Sequence, residues 1–415
     1  MYDKSTVNTY TTPSGLKRYR LPVQCAQMNK HRNISSDTPE FAIHKATLQE
    51  MIWADQWQER AALKHKKLGL EMNGKRSGLK VGQKHKIAEG RTNIAQYELN
   101  AAYNVLAQRL EAGANFDWEF FKSCAEYPFP KPELNDLPPP PARPLLPREP
   151  SPTDSTFQPK LETMDSLRPG RRLQKEQEAR ARFEAVHAQW ERMCAQIKHA
   201  YQQQLLQYKS TVDARKAQHE RQVQAWEQGN AVFMREREAC IRMVEHKKAA
   251  YLEHEPHAVL DYFDMALAHF SYPFCFPHSF ELDYYVNNRA LIIDYLMPPL
   301  RALPRLARVL YNEEDDLFHE IILTEGERNS LYARLLHELP LSVFYELFAV
   351  DTAVALAAIG FRGYIFLDEN KDSGKPPTRV VEVQIDRATF AATDFFHGDS
   401  SLIFEDLGGV IHPLE

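Results

Sequence analysis

Most of the usual signatures of chemistry are missing from this 415-residue chain. Five cysteines (Cys25, Cys124, Cys194, Cys240 and Cys275) stand far apart, with no CxxC pair and no metal-ligand spacing, as expected of unpaired thiols in a reducing compartment. HExxH, GxxxxGK(S/T), GxSxG and the dinucleotide-binding glycine triplet are all absent, so no cofactor and no metal is expected. The longest apolar run, Thr352 to Phe361, is about half a membrane span, and no membrane association is expected. The opening MYDKSTVNTYTTPSG has no apolar core for a secretory signal. These features read as a cytoplasmic protein. Neither charge sign dominates: the net charge is −5, so contact with nucleic acid would need a local patch.

What is present is organisation. From about Arg171 to Glu253 the chain is rich in Glu, Arg, Lys, Gln and Ala, with no proline and one glycine, Gly229. Helical propensity summed over such a stretch predicts one continuous helix, bent or kinked at Gly229, because a helical glycine costs only about 1 kcal/mol. Its apolar seam includes Phe183, Trp190, Ile197, Leu205, Trp226, Phe233, Val244 and Tyr251, with aromatics and histidines where a stable two-stranded coil would carry leucine. The seam predicts a weak partner: a second copy of the chain, or the helices of residues 39–112.

Before the rod, residues 1–38 are polar and turn-rich and are expected to be disordered. Thr38-Pro39 is a cap followed by proline at the first helical position, and helical spacing runs from there to about Leu70. It returns from about Ile87 to Glu111, giving a helical hairpin joined by a basic loop. Phe116-Asp117-Trp118-Glu119 begins a short element, and LPPPPARPLLPREPSP then predicts a semi-rigid polyproline spacer. After Pro256 the texture becomes that of a compact domain. A helix over His257–Phe270 precedes a strand hairpin turning at Asn287-Asn288, further strands at Ala307–Tyr311 and Ile321–Leu323, and a helix over Glu325–Val350. Strands over Ile359–Asp368 and Val380–Ile385 follow, then helix from Arg387. The predicted class is mostly α with a C-terminal α+β domain built on an antiparallel sheet. The predicted divisions are a disordered segment (1–38), a hairpin (39–134), a proline-rich linker (135–165), a long helix (166–255) and the α+β domain (256–415).

The candidate polymer contact is the hairpin tip. Between Asp55 and Arg91 ten Lys and Arg face four acids. The candidate nucleic-acid-binding residues are Lys64, Lys66, Lys67, Lys75, Arg76, Lys80, Lys84, Lys86 and Arg91, with Gly74, Gly78 and Gly82 permitting close backbone approach to phosphate. Arg168, Arg171, Arg172 and Lys175 form a second, smaller basic cluster at the head of the rod. A competing enzymatic reading uses Asp368 and Glu382 with Gln384 as a metal-dependent nuclease site, but no lysine stands at the spacing such sites use.

Several segments, taken in order over roughly Gln96 to Glu415, carry a family likeness: FDWEFF, YPFPKP and the proline run, FQPKL, RRLQKEQEARARFEAVHAQWE, EPHAVLDYFDMAL, SYPFCFPHSFELDYYVNNRALIIDYLMPP, and FRGYIFLD with RVVEVQIDRATF. In these the chain resembles the long-coiled-coil bacterial restriction-system proteins of the Mrr-like restriction endonuclease group. Members of that group carry a nuclease domain after the α+β domain, with an acid…(Glu/Gln)-x-Lys site that has no counterpart in this sequence. The resemblance therefore implies a non-catalytic component of a restriction or anti-phage DNA-defence system, with a separate nuclease chain as partner. The alternatives are a metal-dependent DNA endonuclease and a pure protein–protein scaffold.

Overall fold

The computed structural model describes residues 6–74, 78–123, 126–135, 137–162, 169–273, 275–366 and 376–413. The chain divides into two compact units, Met1–Cys124 with Arg237–Glu415, and Ala125–Glu236.

In the first unit the polar segment over residues 6–38 is ordered, contrary to expectation. β1 (Asn8–Thr11), β2 (Lys17–Cys25) and β3 (Lys30–Ser36) form an antiparallel sheet. β3 alternates, burying Lys30, Arg32, Ile34 and Ser36 on the face that carries Leu21 and Val23 of β2, so part of that face is written in cations, while Arg18 is buried with the opposite parity. α1 (Pro39–Gly74) starts where predicted, with the Thr38 hydroxyl accepting from Phe41 N at 3.4 Å. α2 (Val81–Tyr103) packs back against it, and α3 (Val105–Ala112) follows a break at Asn104. The FDWEFF segment contains α4 (Trp118–Phe121), capped by Asp117, whose carboxylate accepts from Glu119 N at 2.8 Å. Its aromatics are core material: Trp118 stacks on Phe121 (4.7 Å between centroids) and Tyr262 (5.3 Å).

α5 (Pro169–Leu252) is one uninterrupted 84-residue helix, with Gly229 inside it. In the first unit its last turns bury Val244 and Tyr251. Next comes α6 (Pro256–His269), capped by Glu255 and buried on all sides from Ala258 to Ala268. Removing each large apolar side chain from water stabilises by about 1.5–3 kcal/mol, so this helix is the centre of the core.

Around it lies a five-stranded sheet ordered β10-β9-β8-β5-β4. β4 (Phe280–Tyr285) and β5 (Ala290–Leu296) make the hairpin expected at Asn287-Asn288. β6 (Leu306–Asn312) and β7 (Leu317–Ile322) form a separate hairpin outside that sheet. α7 (Glu325–Val350) has the predicted bounds, fixed by a Thr324/Glu327 capping box. It is the crossover that makes β8 (Ala358–Ile365) parallel to β5, so the sheet is mixed, while β9 (Thr378–Asp386) is antiparallel to β8. α8 (Arg387–Ala392), α9 (Ser400–Asp406) and β10 (Val410–Ile411) complete the unit. The α+β assembly thus takes in residues from the N-terminus as well as those after 256. Among the described residues no helix is long and apolar enough to cross a membrane.

In the second unit the proline-rich segment is docked on α5. Trp226 donates its indole N–H to Phe129 O at 2.7 Å, Trp190 donates to Pro147 O at 2.8 Å, and Lys175 Nζ donates to Lys160 O at 3.1 Å. Tyr127 packs on Phe233 and Phe157 on Phe183, both at 5.5 Å between centroids. These contacts run in opposite sequence order, so the segment lies antiparallel to the helix. Eighteen residues separate Phe129 from Pro147, and thirty-six separate Trp190 from Trp226. At about 3.1 Å per polyproline residue and about 1.5 Å per helical residue, the two spans agree at about 55 Å. The aromatic seam that suits a coiled coil poorly suits this partner, whose Phe129 and Pro147 carbonyls accept from its two indoles.

Candidate nucleic-acid interface and a buried ionic cluster

The nine candidate cations divide into three groups. Lys64, Lys66, Lys80 and Lys86 are exposed on α1, at the α2 cap and on α2, with no carboxylate partner among the described residues. Lys67 pairs with Glu98 across the helical hairpin at 3.4 Å, while Lys84 pairs with Asp316 and Arg91 with Glu320. Lys75 and Arg76 lie outside the described residues, as does Arg168 of the smaller cluster. In that cluster Arg172 pairs with Glu176 one helical turn on, at 2.9 Å.

The acids facing α2 come from β6–β7, whose turn reads Glu313-Glu314-Asp315-Asp316. Ala88, Val309 and Tyr311 form a small core there, joined by Leu306 and Phe318. Thr92 ties the strand edge to α2, its hydroxyl donating to Val309 O at 3.0 Å and accepting from Val309 N at 2.9 Å. His85 meets Glu313 at 2.9 Å. The hydrogen bond from Lys84 holds the Asp316 carboxyl below its ordinary range, and Asp316 in turn raises the Lys84 ammonium. One side of the basic element is thus neutralised from within the fold, a pairing the sequence reading did not anticipate.

A second charged assembly was also not anticipated. Asp261 and Asp264 sit three residues apart on α6, on one face of an otherwise apolar helix. Arg18 from β2 reaches Asp261 at 2.6 Å, Arg32 from β3 reaches Asp264 at 2.6 Å, and Lys45 from α1 bridges both at 3.2 and 2.7 Å. Lys247 from α5 adds a contact to Asp261 at 3.0 Å and another to Asp37. Ser36 donates its hydroxyl to Asp261 at 2.7 Å. Burial pushes the Asp261 carboxyl up, but Lys45, Arg18 and Lys247 outweigh it and hold the group well below the usual range. Four ionised side chains from four elements converging on Asp261 and Asp264 make a structural joint: no solvent or substrate reaches Asp261, which is 0 % exposed. Two acids inside an all-apolar helical run are the trace of it in the sequence.

Of the competing nuclease residues, Glu382 is held by Arg379 at 2.6 Å and stands across from Arg362 on β8. Asp368 lies outside the described residues. Among the described residues no three His, Cys, Asp or Glu are grouped to hold a metal ion. No protein-family model matches this chain, and no curated protein and no solved structure matches it either.

Proposed function

We propose that this chain is a non-catalytic component of a restriction or anti-phage system, contacting nucleic acid through the α1–α2 hairpin and positioning a separate nuclease. The observation that carries the contact is the set Lys64, Lys66, Lys80 and Lys86, exposed and without carboxylate partners among the described residues, on helices whose other described candidate cations are pinned. Unpaired lysines on a surface attract phosphate without reading sequence, because the gain comes from releasing condensed counterions. The nuclease partner and the defence setting rest on the sequence resemblance.

The test is fluorescence anisotropy with a labelled duplex between 50 and 200 mM salt. Four phosphate contacts give a slope of log K against log salt of about −3.6. Replacing the four lysines by glutamine should flatten it towards zero. Equal binding by the parent and the quadruple variant would reject the interface, and no binding by the parent at low salt would favour a protein–protein scaffold.

A further inference from the structure

Five cations are buried in this fold: Arg18, Lys30, Arg32, Lys45 and Lys247. Four of them have an aspartate oxygen within 3.0 Å. Lys30 is the exception. It begins β3, it is 7 % exposed, and its Nζ donates to the neutral Gln56 Oε1 at 3.3 Å, with no carboxylate partner among the described residues. Removing an ammonium from water without a counter-charge is strongly unfavourable. The fold supplies that counter-charge at each of the other four sites.

Lys30 lines a cavity of about 330 Å³ together with Arg60 from α1 and Arg301 from the turn after β5. Phe276, Met297 and Phe366 contribute apolar wall, and no Asp or Glu is among its described lining residues. The volume is at the small end of ligand pockets, which pair apolar walls with a few convergent polar groups. We propose that this cavity binds a small organic anion, with a phosphate or carboxylate head against Lys30 and Arg60 and an apolar body against the three-residue wall. The anion supplies a counter-charge that Lys30 lacks among the described residues. Burial, reinforced by Arg60, pushes the Lys30 ammonium down to about 8. Cys275 also lines the cavity, and burial pushes its thiol up to about 11, which leaves it a wall residue rather than a nucleophile.

The test uses the full chain and four probes by titration calorimetry: phenyl phosphate, 3-phenylpropionate, inorganic phosphate and benzyl alcohol. One of the two apolar anions should bind saturably with a dissociation constant of about 1 mM or tighter, identifying the head group, and more tightly than inorganic phosphate or benzyl alcohol. Lys30→Met should weaken that binding at least about tenfold while the unliganded protein melts no lower than the parent, since an unpaired buried charge has been removed. A purely structural lysine would instead give a lower melting temperature. Arg60→Gln, on the exposed side of the cavity, gives a second reading and should also weaken binding. The proposal is overturned if neither apolar anion binds, if benzyl alcohol binds equally well, or if both variants bind like the parent. DNA binding by the α1–α2 lysines is untouched by any of these outcomes.

Discussion

Trp190 donates its indole N–H to the carbonyl oxygen of Pro147, forty-three residues earlier, at 2.8 Å. Trp226 repeats the contact with Phe129 at 2.7 Å, so a helix and a polyproline strand of twofold different rise are held in register at two separated points. Replacing both tryptophans by phenylalanine keeps the rings and removes the donors, at about 0.5–1.5 kcal/mol per bond. Helix content by circular dichroism should be unchanged, because α5 does not depend on the strand for its own hydrogen bonds. Tryptic cleavage after Arg148 and Lys160 should accelerate severalfold. Unaltered cleavage rates would mean that ring packing alone holds the strand.

Gly229 offers a sharper probe of the same contact. Alanine in place of a mid-helix glycine normally stabilises by about 1 kcal/mol. Here a Cβ would collide with the Tyr127 hydroxyl, so Gly229→Ala should bring no gain in thermal stability and should displace the start of the strand. Adding Tyr127→Phe removes the colliding oxygen and should restore the gain. A stabilised single variant would show that Tyr127 swings aside without cost.

Elements whose signals are local were legible in the sequence. α7 carries its own capping box, the β4–β5 hairpin its Asn-Asn turn, and α5 an unbroken propensity that outweighs one glycine. What escaped reading depends on partners distant in sequence. β2 and β3 look polar until Asp261 and Asp264 are known to pair with Arg18 and Arg32. The hairpin cations look unopposed until β6–β7 brings Asp316 and Glu320 to Lys84 and Arg91, more than two hundred residues away. Prolines that announce an extended strand do not announce what it lies against.

The buried joint should be the most sensitive place in the fold. Asp261→Asn preserves shape but leaves Arg18, Lys45 and Lys247 around a neutral amide, and breaking a buried ionic group in this way costs about 3–5 kcal/mol. Chemical denaturation should show a lower midpoint with an unchanged slope. Because the native carboxyl titrates below its unfolded value near 4, its contribution is present above that pH and is lost as pH falls below it. Acid sensitivity below pH about 4 should therefore be weaker in Asp261→Asn.

A second acid-dependent contribution operates at higher pH. His278 is buried with its Nε2 against Leu267 O at 2.9 Å, and burial, with Lys30 and Arg32 nearby, holds its imidazole well below the usual value. The folded state keeps this ring neutral while the unfolded chain protonates it near pH 6.5, so stability present above that pH is lost as pH falls below it. Between pH 7 and 5 the unfolding free energy should decline in the parent, and in His278→Gln the decline should be shallower. Parallel profiles would assign the slope to other groups, such as His44 and His269, which burial shifts in the same direction.

The acids of β6–β7 set a limit on the α1–α2 surface that can be lifted by mutation. Asp316→Asn with Glu320→Gln removes the partners of Lys84 and Arg91 without removing a cation. The hairpin should remain docked, because its attachment includes the Ala88, Val309 and Tyr311 core and the Thr92 bridge, and exposed ion pairs contribute little to stability. If the polyanion contact extends along α2, two additional cations become available. Affinity for duplex DNA should then rise, and the salt slope should steepen by up to about 2 units. Adding Lys84→Gln to that background should return about half of the change. An unchanged slope in the double variant would confine any contact to lysines away from β6–β7, because a phosphate within reach of Lys84 could not fail to register the loss of its competitor.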